Sequence, residues 1–367
     1  MFEPERLIRA HIRKMPAYEP ILPFEVLSEQ LGIPAEDIIK LDANENPYGP
    51  LPAVKEALAN LAYPHIYPDP ESRQLRAGLS AYHRVPVENI LVGAGADELI
   101  DLTLRLLIEP GDAILNCPPT FGMYTFDGDL NGARIISIPR TMDFAIDVNT
   151  IETATRTERP KLIFLANPNN PDGGLVARED IERLLRLPLV VVVDEAYIQF
   201  APPQAGMIRE VLERKNLIVL RTFSKWAGLA GLRAGYGIFP IELMAHLWKI
   251  KQPYNLSVAA SAAACAALRG AGQLEALAGA IISERERLFL QLQEISYLEP
   301  VRSYANFILC RVTGRDAKEL KADLARQGIL LRYFNKPGLQ QTIRISVGRA
   351  EHTAALIQAL KELEANA

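Results

Sequence analysis

The chain is expected to fold as an α/β protein, with a mostly parallel sheet between helices and a second, smaller α+β domain. Three observations carry this expectation. From about residue 90 to residue 250, short β-branched runs alternate with longer helical patterns, the signature of βαβ units. The run Leu189-Val-Val-Val-Val-Asp194 shows no polar residue until its end, as befits a strand covered by helices on both faces. After Pro300 the pattern changes to a few strands and two helices. A length of 367 residues provides for this organisation, at roughly 100–200 residues per domain.

Taken in order, residues 1–15 mix Glu3 and Glu5 with Arg6, Arg9, Arg13 and Lys14 and read as an amphipathic helix, without the apolar stretch of a secretory signal. The segment that follows, to about Tyr48, reads as irregular and is expected to pack with the small domain. Seven strands are expected at 90–92, 113–116, 134–138, 162–166, 190–194, 217–220 and 235–238, with the fifth in a central position. Apolar spacings of three and four predict helices over 97–107, 177–187 and 240–251. Two more, 258–268 and 274–295, lie end to end around a Gly270-Ala-Gly272 break, the second long enough to bridge two domains. The small domain then reads as strand 307–311, helix 317–327, strands 329–332 and 342–347, and helix 349–363. The resulting division is 1–48, 49–270 and 271–367.

Composition narrows the function. Hydrophobic residues at 49% and charged residues at 23% are ordinary for a globular protein and provide a sizeable core. Forty basic against 44 acidic residues give a net charge of −4 with no long block of either sign, so no nucleic-acid surface is expected and small, modestly charged partners are. Cys117, Cys265 and Cys310 are widely spaced and form no CxxC, which fits neither a disulfide framework nor a zinc site and points to a reducing, cytoplasmic setting. No apolar run approaches the length of about 20 residues that a membrane helix needs. Of the 26 prolines and 23 glycines, a subset that includes Pro118, Pro119, Pro168, Pro171, Gly93, Gly95, Gly173 and Gly228 clusters in stiff loops at strand ends.

Those strand ends are where an open α/β sheet binds ligands. Val92-Gly-Ala-Gly-Ala-Asp-Glu98 runs a strand through two glycines into a helix. Its backbone N–H groups suit a phosphate, although glycines at such a turn also serve as turn chemistry alone. Asn167-Pro-Asn-Asn-Pro-Asp-Gly-Gly174 follows the next-but-two strand and presents amides from a stiff backbone, or is a surface loop. In Val193-Asp-Glu-Ala-Tyr197 an acid ends a wholly apolar strand. There it either caps a helix or requires a cation from elsewhere. Lys225 sits in a small-residue loop with Thr222 and Ser224, and Arg233 follows eight residues later. A lysine so placed is a candidate Schiff-base former, since desolvation and nearby positive charge activate an amine.

Together these residues resemble the fold-type I pyridoxal-phosphate aminotransferases. The resemblance rests on Ser224-Lys-x-x-x-x-x-Gly-x-Arg-x-Gly235, Asp194-Glu-Ala-Tyr197 and the Asn-Asn-Pro-x-Gly loop. Within that family the chain is most similar to the histidinol-phosphate aminotransferases. Leu41-Asp-Ala-Asn-Glu-Asn-Pro-Tyr-Gly-Pro50, Tyr67-Pro-Asp-Pro70, Gly95-Ala-Asp-Glu98 and Cys117-Pro-Pro-Thr-Phe-Gly-Met-Tyr124 carry this narrower likeness. It spans about Tyr18 to Gly348.

The resemblance implies a role for each matching residue. Lys225 would anchor pyridoxal phosphate and later move the substrate's Cα proton. Asp194 would pair with the pyridinium nitrogen, Asn170 and Tyr197 would bond the ring's phenolic oxygen, and Phe121 would stack on the ring. The cofactor phosphate would rest on the helix start at Ala96 and Asp97, with Thr222, Ser224 and Arg233 around it. Tyr67 would reach that phosphate from a second copy of the chain, so a homodimer with shared active sites is implied, the N-terminal segment packing against the partner subunit. Arg344 and Arg332 would bind the anionic groups of a substrate that Tyr18 helps to enclose. Asn44 is placed near the same cleft without a role.

The implied reaction is transamination between L-histidinol phosphate and 2-oxoglutarate, giving imidazole acetol phosphate and L-glutamate in histidine biosynthesis. An aromatic amino-acid aminotransferase and a threonine-phosphate decarboxylase remain alternatives on the same scaffold, and a nucleotide-binding or regulatory protein that kept the fold and lost its chemistry is a third. The last sits poorly with the joint presence of Lys225, Asp194, Asn170, Tyr197 and Arg233. Two departures bear on substrate scope: Asp172 stands where the family loop usually has threonine, and Phe121 where it often has tyrosine.

Overall fold

The computed structural model describes residues 2–16 and 23–365. Its strands are β1 (Ile39–Leu41), β2 (Ile90–Gly93), β3 (Ala113–Asn116), β4 (Arg134–Ser137), β5 (Leu162–Ala166), β6 (Val190–Asp194), β7 (Leu217–Thr222), β8 (Gly235–Ile238), β9 (Leu298–Pro300), β10 (Phe307–Val312), β11 (Ile329–Tyr333) and β12 (Thr342–Ser346). The large sheet has seven strands in the order β2-β8-β7-β6-β5-β3-β4. Only β8 runs antiparallel to its neighbours β2 and β7. All the other pairings are parallel.

The central strand, β6, explains its own composition. Val191 and Val193 point into one apolar layer and Val192 into the other, and all three are fully buried. Burial of each contributes about 1.5–3 kcal/mol relative to exposure. Helices Ala96–Leu107, Met123–Leu130 and Ile241–Ile250 cover one face, through Leu99, Tyr124 and Leu247. Helices Arg73–His83, Val148–Glu158, Arg178–Leu184 and Val258–Arg269 cover the other, through Leu79, Ile151, Ile181 and Ala263.

Helix Ala271–Gln293 follows Val258–Arg269 with a single residue, Gly270, between them. Its first half buries Leu274, Ala278 and Ile281 in the large core, and its second half buries Leu288 and Leu292 in a separate one. That second core belongs to a five-stranded sheet of order β1-β11-β12-β10-β9. Helices Ala317–Arg326 and Ala350–Ala365 pack on it through Leu320, Leu324, Leu356 and Leu360. The edge strand β1 comes from the N-terminal segment and pairs in parallel with β11.

Two expectations for the N-terminal segment need correction. The amphipathic helix over residues 1–15 is replaced by two 3₁₀ turns, Pro4–Leu7 and Ile12–Lys14, neither of which buries a residue. Phe2 and Leu7 are exposed, so no packed apolar face pulls the turns into one helix. The stretch expected to be irregular contains helix Phe24–Leu31, capped by Gly32, and strand β1. The helix expected over 177–187 ends early, at Leu184.

Candidate active site

Strands β5, β6 and β7 are parallel neighbours in register, Ala166 opposite Asp194 and Asp194 opposite Leu220, so their carboxyl ends form one ledge. The loop after β5, the Asp194 carboxylate and the Lys225 loop all leave that ledge on the same side. They enclose a cleft of about 130 Å³. Ala96, Asp97, Phe121, Asn170, Asp194, Tyr197, Thr222, Ser224, Lys225 and Arg233 all line it. Sequence reasoning had singled out each of them from five separate stretches of chain.

Asp194 lies at the floor, 5% exposed. Its Oδ2 accepts a hydrogen bond from the Tyr124 hydroxyl at 2.7 Å and its Oδ1 one from the Ala196 N–H at 3.0 Å. Among the described residues no cationic side chain forms an ion pair with it. Burial therefore pushes its carboxyl up to about 6, against the pull of those two hydrogen bonds.

The Lys225 ammonium donates to the Ala43 carbonyl at 3.3 Å and lies 6.0 Å from the Tyr197 ring centre. The Tyr197 hydroxyl in turn accepts from Asn44 Nδ2 at 3.0 Å. Asn44 is thus a site residue to which the sequence assigned no role. Its φ of 55° fits the tolerance of asparagine for the left-handed region. Its own backbone and side chain are bonded to Ser346 and Asn306 of the small domain.

At the other end of the cleft, helix Ala96–Leu107 begins at Gly95, whose φ of +84° favours glycine. Arg233 pairs with Asp97 at 2.6 Å and comes so close to Gly95 that a Cβ there would lie 2.8 Å from its Nη2. Gly235 is tighter still: a Cβ would sit 2.5 Å from the Ala96 nitrogen and from the Gly95 carbonyl carbon. The Thr222 hydroxyl donates to Ser224 Oγ at 2.9 Å and accepts from the Ser224 N–H at 3.1 Å, which holds two hydroxyls beside the helix start.

Other expected residues lie outside this lining. Arg344 on β12 reaches its edge, donating to Asn170 Oδ1 at 2.5 Å and to the Asp42 carbonyl at 2.8 Å. Arg332 on β11 is its register partner. Tyr67 is 78% exposed and stacks on Tyr254 with ring centres 4.5 Å apart. Tyr18 lies outside the described residues. Asp172, the unusual residue of the 167–174 loop, is buried, accepting from the Asn169 side chain and from the Gly174 N–H at 2.7 Å. Tyr124 closes the 117–124 motif but is assigned no role by it, because its contact with Asp194 lies far along the chain.

The chain belongs to the class I and II aminotransferases, whose family model matches residues 36–362. Its relatives narrow the family. It is 53% identical over 98% of its length to histidinol-phosphate aminotransferase 1 of Arabidopsis thaliana, a chloroplastic protein of which it covers 86%. With the histidinol-phosphate aminotransferase of Roseiflexus castenholzii it shares 50% identity over 97% of this chain and 98% of that one. Among solved structures, histidinol-phosphate aminotransferase from Sinorhizobium meliloti in complex with pyridoxal-5'-phosphate superimposes with a TM-score of 0.87. That match has 29% identity and covers 97% of this chain and 98% of the other.

Proposed function

We propose that this protein is a pyridoxal-phosphate-dependent histidinol-phosphate transaminase of histidine biosynthesis, exchanging the amino group of L-histidinol phosphate with 2-oxoglutarate. The observation that carries the reading is Asp194: a buried carboxylate without a cation, in a cleft that also holds a lysine amine and a helix start. Such a carboxylate is costly unless a positive group enters beside it. A protonated pyridine nitrogen is such a group, and the glycine-crowded helix start with Thr222, Ser224 and Arg233 suits the phosphate at the other end of the same molecule.

The donor set therefore fits pyridoxal phosphate, held by Asp194, Asn170, Tyr197, Thr222, Ser224 and Arg233, with Phe121 against its ring. When bound, this cofactor supplies an electron-withdrawing ring that stabilises negative charge at the substrate's Cα. The remaining work falls to the chain. Lys225 Nζ takes the proton from Cα and delivers one in return, close enough to the Tyr197 ring and the Ala43 carbonyl to be held in place between transfers. Arg344, braced by Asn170, and its register partner Arg332 bind the phosphate of histidinol phosphate and, in the second half-reaction, the carboxylates of 2-oxoglutarate. Phe121 and Tyr197 form aromatic walls of the cleft that holds Lys225.

The working unit is proposed to be a homodimer in which Tyr67, exposed in one chain, completes the phosphate site of the partner subunit. A reducing, cytoplasmic setting is supported by three cysteines that are all free and buried. No helix of the described residues is long and apolar enough to cross a membrane.

Purified protein incubated with pyridoxal phosphate is expected to turn yellow, and borohydride reduction to add the cofactor's mass to the Lys225 peptide. Colourless protein, or an unmodified peptide, overturns the enzyme reading. Single-turnover bleaching of the cofactor band should be faster with histidinol phosphate than with phenylalanine or threonine phosphate. The opposite order, or release of carbon dioxide, transfers the protein to one of the alternative activities.

A further inference from the structure

We propose that Tyr124 is a positioning residue of the cleft: its hydroxyl keeps the Asp194 carboxylate ionised and aimed before any cofactor arrives, and so sets how tightly the ring is held. The proposal rests on the reading of Asp194 as the partner of the ring nitrogen. Tyr124 is fully buried, and its ring cannot drift. It lies face to face with Phe164, with centres 4.8 Å apart and planes 4° from parallel, and edge to face with Phe121 at 5.6 Å. The one polar atom of this clamped ring donates to Asp194 at 2.7 Å.

The charges around the pair leave Tyr124 with an important share of the work. Asp97 and Glu195 face Asp194 and disfavour its ionised form, after burial, the largest influence. Against them, among the described residues, stand two neutral donors, Tyr124 on one oxygen and the Ala196 N–H on the other. Tyr124 itself faces Asp194, Tyr197 and Arg140; burial first, and then the Asp194 charge, hold the phenol well above its ordinary range, so it remains a donor at every working pH. Without the hydroxyl, Asp194 Oδ2 has no donor among the described residues in a largely buried position, and a carboxyl so placed takes up a proton more readily. A neutral acid has no charge to offer a protonated ring nitrogen. Because Phe121 packs on the same tyrosine, one side chain ties the contact on the ring's face to the contact at its nitrogen.

The test uses Tyr124→Phe, which keeps the ring and its stacking. In cofactor-free protein labelled with ¹³C at aspartate carboxyls, the Asp194 signal is identified by its absence in Asp194→Asn. It is expected to titrate at least one pH unit higher in the Phe variant than in wild type. Pyridoxal-phosphate affinity at pH 7.5 should fall at least fivefold. As a variant that leaves packing in place, 3-fluorotyrosine at position 124 alone provides a stronger donor and should lower the Asp194 titration. An Asp194 titration unmoved by either change overturns the proposal, whatever happens to turnover. If wild-type protein binds no pyridoxal phosphate, the cofactor reading fails, while the titration still decides the role of Tyr124.

Discussion

Arg332 and Arg344 stand opposite one another on the antiparallel pair β11–β12, and neither forms an ion pair with a carboxylate among the described residues. Burial, with the charge of Arg332 adding to it, lowers the Arg344 pKa to about 10. Two neighbouring guanidinium groups without carboxylate partners among the described residues offer donors to an anionic group such as a phosphate. Arg344→Ala is expected to raise KM for histidinol phosphate about 10- to 100-fold, the equivalent of roughly 1.5–3 kcal/mol for a charge-assisted contact. Cofactor affinity, measured by equilibrium titration of the same variant, should change far less. Equal losses of both would remove Arg344 from substrate binding.

Lys225→Ala should abolish turnover and leave the fold in place. The amine makes one long hydrogen bond to a backbone carbonyl, so its removal forfeits about 1 kcal/mol or less of stability. The pair of measurements is a steady-state assay and a urea melt. A variant with near-normal transamination would place the proton carrier elsewhere.

Asp194 makes the cofactor-free protein pH-sensitive. Its folded pKa, about 6, lies above its ordinary value of 3.8, so between those values the folded state binds the proton more tightly than the unfolded chain does. Stability is therefore lost as pH rises through this window, by roughly 3 kcal/mol once the group is ionised in both states. Cofactor-free Asp194→Asn should consequently be more stable than wild type at pH 8, with the difference closing toward pH 4. Urea unfolding at several pH values measures it. A variant that is less stable at pH 8 would contradict the assigned sign.

Gly235→Ala tests the helix-start cradle. The added methyl meets backbone on all sides, the Gly95 carbonyl carbon and the Ala96 nitrogen, and backbone cannot rotate out of the way. The turn must move off the phosphate position. Pyridoxal-phosphate affinity is expected to fall at least about tenfold, near the 1.4 kcal/mol that one order of magnitude represents. Circular dichroism should report an unchanged helix content. Undiminished affinity would show that the phosphate does not rest there.

Legibility from sequence followed the length and burial of each element. Six strands of the large sheet were readable because their largely apolar runs are buried, and the edge strand β4, exposed at both ends, was readable from Ile135 and Ile136 between its polar ends. The three-residue strands β1 and β9 carry too little pattern to stand out, and their existence depends on partners far along the chain. Helix Met123–Leu130 went unseen because Asp127 and Gly128 sit among its buried positions and break the apolar stripe. Within the site, residues that present their own chemistry in a motif were found: Lys225, Asp194, Asn170 and Arg233. Those that act by holding another residue were not, since Tyr124 meets Asp194 across 70 positions and Asn44 meets Tyr197 across 153.

The edge pairing of β1 with β11 ties the small domain to the residues around the Lys225 amine. Only a few residues separate that strand from Ala43, which holds the Lys225 ammonium, and from Asn44, which holds the Tyr197 hydroxyl. Arg344 belongs to the same small sheet and grips the neighbouring Asp42 carbonyl. Arg344, Asp42, Ala43 and Asn44 thus join the small sheet to the Lys225 and Tyr197 side of the cleft through a short run of backbone.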